Sequence, residues 1–446
     1  MDVTPTWPQI PRHTAARPAG HVDLEYGHGK LILAPMVRCG TLPMRMLALS
    51  EGADIVFSPE TIDRRLARSK RVLNVVANTT DFVDLDDGSI NLRLHAEEKS
   101  KLVVQIGSSD PENAVKAALA VADDCSGIDL NCGCPKKFSI VSAMGAALLS
   151  QPDRLCGILT ALVENVPLPI TAKIRMLETP EKTIELVQRI EKTGVSAITL
   201  HCRLRSERPQ DPGHWDIFER VAQSIKIPLI ANGDIYSMED VERLKKIAPS
   251  VSSFMLARAP ESNFSIFNPL IQKTPSEAII AYAKAAVTYD MVFHNCKYVL
   301  MQMWPASQKK TNRRSKKGKP QNIGVVKSQD EDGTDDSVVA PVLPPILSLA
   351  RTKSYQELCE VVPGLREVLD KCEAERLERS ERLGREDLIR KDVVAELGPD
   401  CPYLPNEDIM HRVKRNSDGQ VTGKEEVDGE ADVARKKLRE SVEDDK

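Results

Sequence analysis

The chain has 446 residues, more than one ordinary domain needs, and its 41% hydrophobic content supports a sizeable core. Aromatic residues make up only 4%, which argues against a β-sandwich or an aromatic-lined lectin. A formal net charge of −4, with an isoelectric point near 6.1, excludes a globally basic nucleic-acid binder, so any RNA contact has to come from a local basic patch.

The first twenty residues lack the apolar core of a signal peptide. The ten cysteines are scattered, without dense disulfide spacing. No stretch has the apolar length of a membrane span. These features predict a soluble cytoplasmic protein with reduced thiols.

Residues 1–28 read as an N-terminal extension. After it, short apolar, β-branched runs recur: LILAPM (31–36), DIVFSPE (54–60), LVVQIGS (102–108), GIDLNCG (127–133), LPITAKIR (168–175), AITLHCR (197–203), PLIANGD (228–234) and SFMLARA (253–259). Most are continuous rather than alternating, as strands buried on both faces of a parallel sheet are. Helical patterns fall between them, at 43–51, 111–122, 154–164, 180–193, 215–225 and 237–247. Eight strands alternating with helices predict a (β/α)8 TIM barrel over residues 29–272; a doubly wound sheet is the rival, but no GxGxxG follows the first run.

Beyond residue 272 the strand pattern stops. Helical spacing runs through 276–303, then 345–350 and 355–369, which predicts a smaller helical domain over 273–400. Residues 305–341 have almost no core-forming side chains and read as a disordered insertion. Its basic run, KKTNRRSKKGK (309–319), suits a nuclear localisation signal, an RNA-grasping arm or a solvated insert equally well. The charged tail, 401–446, reads as disordered too.

In such barrels the chemistry sits at the C-terminal ends of the strands. The run ends are Pro35 and Met36, Glu60, Gln105, Asn131 with Cys134, Lys173 with Arg175, His201 with Arg203, Asn232 with Gly233 and Asp234, and Ala257 with Arg258. Almost all are polar or charged, a poor choice for plain packing. The seventh and eighth ends suggest a phosphate site: Gly233 permits close backbone approach and Arg258 offers a fork of donors. Lys173 is costly to bury without an anionic partner, and negative charge on a reduced flavin is one such partner, with Gln105 and Asn131 hydrogen-bonding the ring. A structural carboxylate is another.

Cys134 lies between a glycine and a proline, beside Lys136 and Lys137. Those neighbours fit a nucleophile or a proton donor. A packing cysteine is the bland alternative, and a metal ligand the least supported, because no Cys/His pair at ligand spacing accompanies it; no metal is expected. His201 precedes Arg203, Arg205 and Arg208, which suits a flavin or base contact flanked by phosphate-binding arginines.

These residues resemble the tRNA-dihydrouridine synthases. LILAPMVRCGTLPMR, VVQIGSSDPE, GIDLNCGCPKKFS, MGAALL, TAKIR, LHCR, ANGD and MLARA match that family's motifs in order across residues 31–267, and the details look most like the eukaryotic branch that modifies uridine 20 of the tRNA D-loop. The resemblance implies an FMN barrel followed by a helical domain that grips tRNA, with NADPH as electron donor. It implies that Cys134 protonates C5 of the uracil after hydride reaches C6 from the flavin. FMN would lie against Pro35, Met36, Gln105, Lys173 and His201, with its phosphate at Asn232, Gly233, Asp234, Ala257 and Arg258. Asn131, Arg203 and Arg205 would face the substrate, as would Asn295, Lys297 and Tyr298 of the helical region.

There are departures from the family pattern. Ala257 replaces the usual glycine of the last strand, Ser142 and Ala143 stand where glycines are frequent, and no double-stranded-RNA-binding domain is recognisable. A monomer is expected. Two other readings remain: an FMN-barrel oxidoreductase acting on a free pyrimidine such as dihydroorotate, and a non-catalytic tRNA-binding protein on a decayed enzyme fold.

Overall fold

The structure, a computed structural model, describes residues 24–136, 141–304 and 346–387. The insertion 305–341, the tail 401–446, Lys137 and most of the N-terminal extension lie outside the described residues.

Strands buried on both faces need a partner at every edge. Eight of them meet that need by closing on one another. β1 (Leu31–Leu33), β2 (Ile55–Phe57), β3 (Leu102–Gly107), β4 (Gly127–Cys132), β5 (Ile170–Arg175), β6 (Ala197–His201), β7 (Leu229–Asn232) and β8 (Ser253–Leu256) each pair in parallel with the next, and β8 returns to β1. The fold is the (β/α)8 barrel expected from the sequence.

Helices follow the strands: α1 (Leu42–Ser50), α2 (Asp63–Ala67), α3 (Pro111–Val121), α4 (Pro152–Asn165), α5 (Pro180–Glu191), α6 (Ile217–Ala222), α7 (Met238–Ile247) and α8 (Arg258–Ser262). Local chemistry sets their starts. Asp110 accepts the N–H of Asn113 at 2.9 Å with Pro111 next to it, and Ser237 forms a reciprocal capping box with Asp240. The helix expected at 215–225 is shorter than its apolar pattern suggested, because Trp215 turns back to donate from Nε1 to the Gly233 carbonyl at 3.0 Å.

Side chains alternate along a strand, so the register sorts the barrel's inside from its outside. Ile32, Ala34, Ile55, Phe57, Val103, Ala197, Ile230 and Met255 cluster inside, while Leu33, Val56, Val104, Leu130, Leu200 and Leu256 pack against the helices. Three inward layers follow from the register. Gln105, Asp129, Thr171 and Ala197 form one; Asn131, Lys173, Thr199 and Ile230 form the next; Arg175, His201, Asn232 and Met255 form the outermost. The barrel's interior is therefore apolar at its base and polar toward one mouth.

Sequence reading missed an antiparallel sheet inserted between α2 and β3, made of strands Ser69–Asn74, Thr79–Asp84 and Ile90–Leu94. Beneath it, buried Arg45 of α1 makes a two-pronged ion pair with buried Glu98, both contacts 2.7 Å, and also donates to the Gly40 and Arg93 carbonyls.

After the barrel come α9 (Pro275–Thr288), α10 (Phe293–Met303), α11 (Ile346–Arg351), α12 (Tyr355–Cys359) and α13 (Leu365–Asp387). The helical spacing over 276–303 is thus two helices, broken where Asp290 takes a left-handed φ of 51°. Arg93 of the inserted sheet braces this break, donating to the Asp290 carbonyl at 2.6 Å, and Arg376 of α13 donates to the Val287 carbonyl at 2.7 Å. The 355–369 pattern breaks likewise at Gly364, whose φ is 67°. Among the described residues, no helix is long and apolar enough to cross a membrane.

Candidate active site at the barrel mouth

β4 ends on two cysteines with different fates. Cys132 is buried, its thiol set against the Leu130 carbonyl, and burial raises its pKa well above the ordinary range. The chain then turns over Asn131, whose Oδ1 accepts the N–H groups of Gly133 (3.0 Å) and Cys134 (3.2 Å). Cys134 is left half-buried at the mouth, with its carbonyl accepting the N–H of Ala146 at 3.0 Å. Lys173 and Arg175, on β5, both lie within electrostatic reach of it.

The mouth is a ring of cations around a neutral imidazole. Lys173 donates from Nζ to Asn232 Oδ1 at 2.8 Å, and Asn232 Nδ2 donates to the Met255 carbonyl at 2.8 Å, which fixes the amide's orientation. Burial pushes the Lys173 ammonium down to about 8; Arg175 adds to this and Asp129 below opposes it. Burial, reinforced by Lys173, Arg175, Arg203 and Arg258, pushes His201 down to about 2. Nη1 of Arg203 lies 3.3 Å from His201 Nε2, and a guanidinium only donates, so Nε2 accepts and Nδ1 carries the proton.

After the seventh strand, Gly233 has φ +119°, and an added Cβ would stand 2.6 Å from Cys202 Sγ and 2.9 Å from His201 Cδ2. Only glycine fits there. Asp234 pairs with both Arg203 and Arg258 and accepts the Gly213 N–H at 2.6 Å. Burial raises its pKa, but these donors outweigh that and hold it below the usual carboxylate range. Its carboxylate is therefore a clamp for two arginines, and only its backbone remains for a phosphate. Ala257 leads directly into α8, and Arg258 also donates to the Pro209 carbonyl at 2.9 Å and lies over the Tyr236 ring at 4.8 Å. Lys173, Arg175, Arg203 and Arg258, only partly offset by Asp234, Asp129 and Glu207, make a donor set that fits a dianionic phosphate and an electron-rich ring.

The profile of the family described as dihydrouridine synthase (Dus) matches residues 32–331. The chain belongs to the dihydrouridine synthase family. It is 42% identical over 295 residues to the tRNA-dihydrouridine(20) synthase [NAD(P)+] of Schizosaccharomyces pombe, covering 64% of this chain and 61% of that one. The corresponding Saccharomyces cerevisiae protein is 37% identical over 330 residues, covering 69% of this chain and 85% of that one. A tRNA-dihydrouridine(20a/20b) synthase [NAD(P)+] of Saccharomyces cerevisiae is 32% identical over 247 residues, covering 54% of this chain and 63% of that one.

In this chain, Pro35, Met36, Gln105, Asn131, Cys134, Lys173, His201, Asn232, Gly233, Asp234, Ala257 and Arg258 all come from the C-terminal halves of barrel strands or the turns after them. The substrate-side residues part company. Arg205 is exposed. Arg203 does not face solvent as expected: it is 2% exposed, and besides Asp234 it donates to the Asp211 carbonyl at 2.8 Å. In α10, Lys297 donates to the Ala350 and Thr352 carbonyls at 2.7 and 2.6 Å, closing the end of α11. Asn295 donates to the Arg38 carbonyl at 2.9 Å, and the Arg38 guanidinium lies 4.9 Å from the Tyr298 ring centre. These two side chains thus dock α10 on the loop after β1.

Three polar groups of the site were given no role by the sequence. Arg175 and Glu60 were visible as run ends. Asp129 was signalled only by a charge in the middle of an apolar run; it accepts from Gln105 Nε2 at 2.8 Å and Thr171 Oγ1 at 2.6 Å, and burial raises it to about 6.

Proposed function

We propose that this protein reduces a uridine of tRNA, at position 20 of the D-loop, to 5,6-dihydrouridine, with FMN at the barrel mouth and NADPH as electron donor. The observation that carries this reading is the half-buried Cys134 thiol, held by Asn131 at the edge of a cationic mouth. The substrate and electron donor follow the names of the two relatives at 42% and 37% identity.

Pro35, Met36, Gln105, Lys173 and His201 would hold the flavin ring, and the backbone at Asn232–Asp234 and Ala257–Arg258, with the Arg258 guanidinium, its phosphate. When bound there, FMN supplies the hydride that adds to C6 of the uracil. Lys173 stabilises negative charge beside the ring, and His201, being neutral, donates a hydrogen bond from Nδ1 without adding a competing cation. Cys134 delivers its Sγ proton to C5, so the C5–C6 double bond gains one hydride and one proton. The uridine is swung out of its stack to reach the mouth, Asn131 meets the base, and Arg205 meets the RNA backbone.

The test is incubation of the protein with FMN, NADPH and unmodified tRNA, with dihydrouridine mapped by mass spectrometry and dihydroorotate tried in parallel. Dihydrouridine at position 20 is expected. Turnover of the free pyrimidine, with no dihydrouridine in the RNA, would overturn the reading.

A further inference from the structure

Pro35 and Met36 follow β1 and lead into a tight turn. The Met36 carbonyl accepts the Gly40 N–H at 2.8 Å, which closes the turn, and a Cβ added to Gly40 would stand 3.1 Å from both N and O of Met36. With so little slack, a shift at the apex moves Met36 too. The apex is Arg38, whose φ of 71° is left-handed, a conformation that a non-glycine residue keeps only where its surroundings fix it. The far end of the turn is tied to the barrel, since Arg45 Nη1 donates to the Gly40 carbonyl at 2.9 Å. The apex is tied to the helical region instead. Asn295 Nδ2 donates to the Arg38 carbonyl at 2.9 Å, and the Arg38 guanidinium lies over the Tyr298 ring, 4.9 Å from its centre. The barrel's own contact with that carbonyl, from Thr41 Oγ1, is 3.5 Å long.

We propose, on the reading that the flavin lies against Pro35 and Met36, that Asn295 and Tyr298 are positioning residues for that cofactor. They hold Arg38 by its carbonyl and by its guanidinium, and so set the turn 36–40 and the place of Pro35 and Met36 beside the flavin ring. The two stand three residues apart on α10, hence on one face of the helix, and both are half-buried. Side chains that the family resemblance turns toward the substrate thus spend these contacts on the barrel. Met36 is the link to the interior: it packs against both the inward cluster and the layer beneath the helices. The helical region therefore completes the cofactor pocket of the barrel. Of the two holds, the Asn295 hydrogen bond is the stronger, because Arg38 is exposed and water weakens the attraction of its guanidinium for a ring.

The experiment uses the full chain carrying Asn295→Ala, Tyr298→Ala, Tyr298→Phe or Lys297→Met, beside the wild type. Three quantities are read: the dissociation constant of FMN from the flavin-free protein, the visible absorption spectrum of the flavin at saturating FMN, and the dissociation constant of tRNA from the flavin-free protein. Asn295→Ala is expected to weaken FMN binding about tenfold, as loss of one hydrogen bond does, and to shift the absorption bands of the bound flavin. Tyr298→Ala should act in the same direction by about threefold, and Tyr298→Phe, which keeps the ring, should restore the wild-type values. Affinity for tRNA should not change. Lys297→Met releases α11 rather than the turn, so it should lower stability and leave FMN affinity and spectrum as they are. Wild-type FMN affinity and spectrum in Asn295→Ala would overturn the proposal. So would an equal loss in Lys297→Met, which reports general stability, or weaker tRNA binding with FMN binding intact, which returns both residues to the RNA. A wild-type protein that binds no FMN would overturn the reading of the mouth itself.

Discussion

Asp129 accepts a hydrogen bond from Gln105 Nε2 at 2.8 Å, two layers below the outermost one, while its other oxygen accepts from Thr171 Oγ1 at 2.6 Å. As a carboxylate it only accepts, so the NH2 of Gln105 must face it and the Gln105 carbonyl oxygen must point elsewhere. A buried acid thus decides that Gln105 offers the mouth an acceptor. In Asp129→Asn the new amide keeps the Thr171 bond through Oδ1 and opposes an NH2 to that of Gln105, which turns the glutamine over. FMN affinity should fall about tenfold, the equivalent of one hydrogen bond of roughly 1.4 kcal/mol. Fluorescence titration of FMN checks this; a wild-type dissociation constant would contradict it.

Lys173 sets a pH dependence of cofactor binding. Its ammonium, pushed down to about 8, is charged below that pH and neutral above it. Affinity of the flavin-free protein for FMN should therefore drop as pH rises through about 8, and Lys173→Met should bind weakly with that step removed. His201, at about 2, stays neutral throughout and contributes no step. Affinity measured across this range in both proteins decides the point.

The buried Arg45–Glu98 pair carries stability rather than chemistry. Both side chains are almost fully enclosed. Removing one partner by Glu98→Ala leaves an uncompensated guanidinium and should cost about 3–5 kcal/mol in denaturant unfolding, whereas replacing both with apolar residues should recover much of that. Equal losses in the single and double variants would show that the ion pair is not the source.

Ala143 takes φ 55°, the left-handed region, in the turn just before the Gly145–Ser150 segment that hydrogen-bonds to Cys134. Ala143→Gly should relieve strain worth about 1 kcal/mol, less what glycine's freedom costs when unfolded, and thermal unfolding reads the net gain.

Arg205 is exposed, whereas Arg203 and Arg258 at the mouth are paired with Asp234. Arg205→Ala should weaken tRNA binding similarly for different tRNAs and reduce the salt dependence of log K by about 1. An unchanged slope would remove Arg205 from the RNA interface.

The barrel was legible because strands such as IVF (55–57) are buried on both faces and read as unbroken apolar runs, and its mouth because polar residues end those runs. What stayed hidden depends on who meets whom. Asp129 and Thr171 are 42 positions apart and share one inward layer only through the β4–β5 register. Arg203 looked like a free cation because Asp234, 31 positions later, was read as a phosphate contact rather than its partner. Lys297 looked solvent-facing until α11 brought the Ala350 and Thr352 carbonyls to it. The inserted sheet did leave a signal, the alternation in INLRL, but in a segment where the barrel pattern leads the reader to expect only a connection.

The most direct test of the account is a single-turnover reaction of tRNA with pre-reduced Cys134→Ala protein, with dihydrouridine counted at position 20. The account predicts that this variant binds FMN and accepts electrons from NADPH as the wild type does, yet forms dihydrouridine more slowly by a factor on the order of a hundred or more. Formation at the wild-type rate would contradict it.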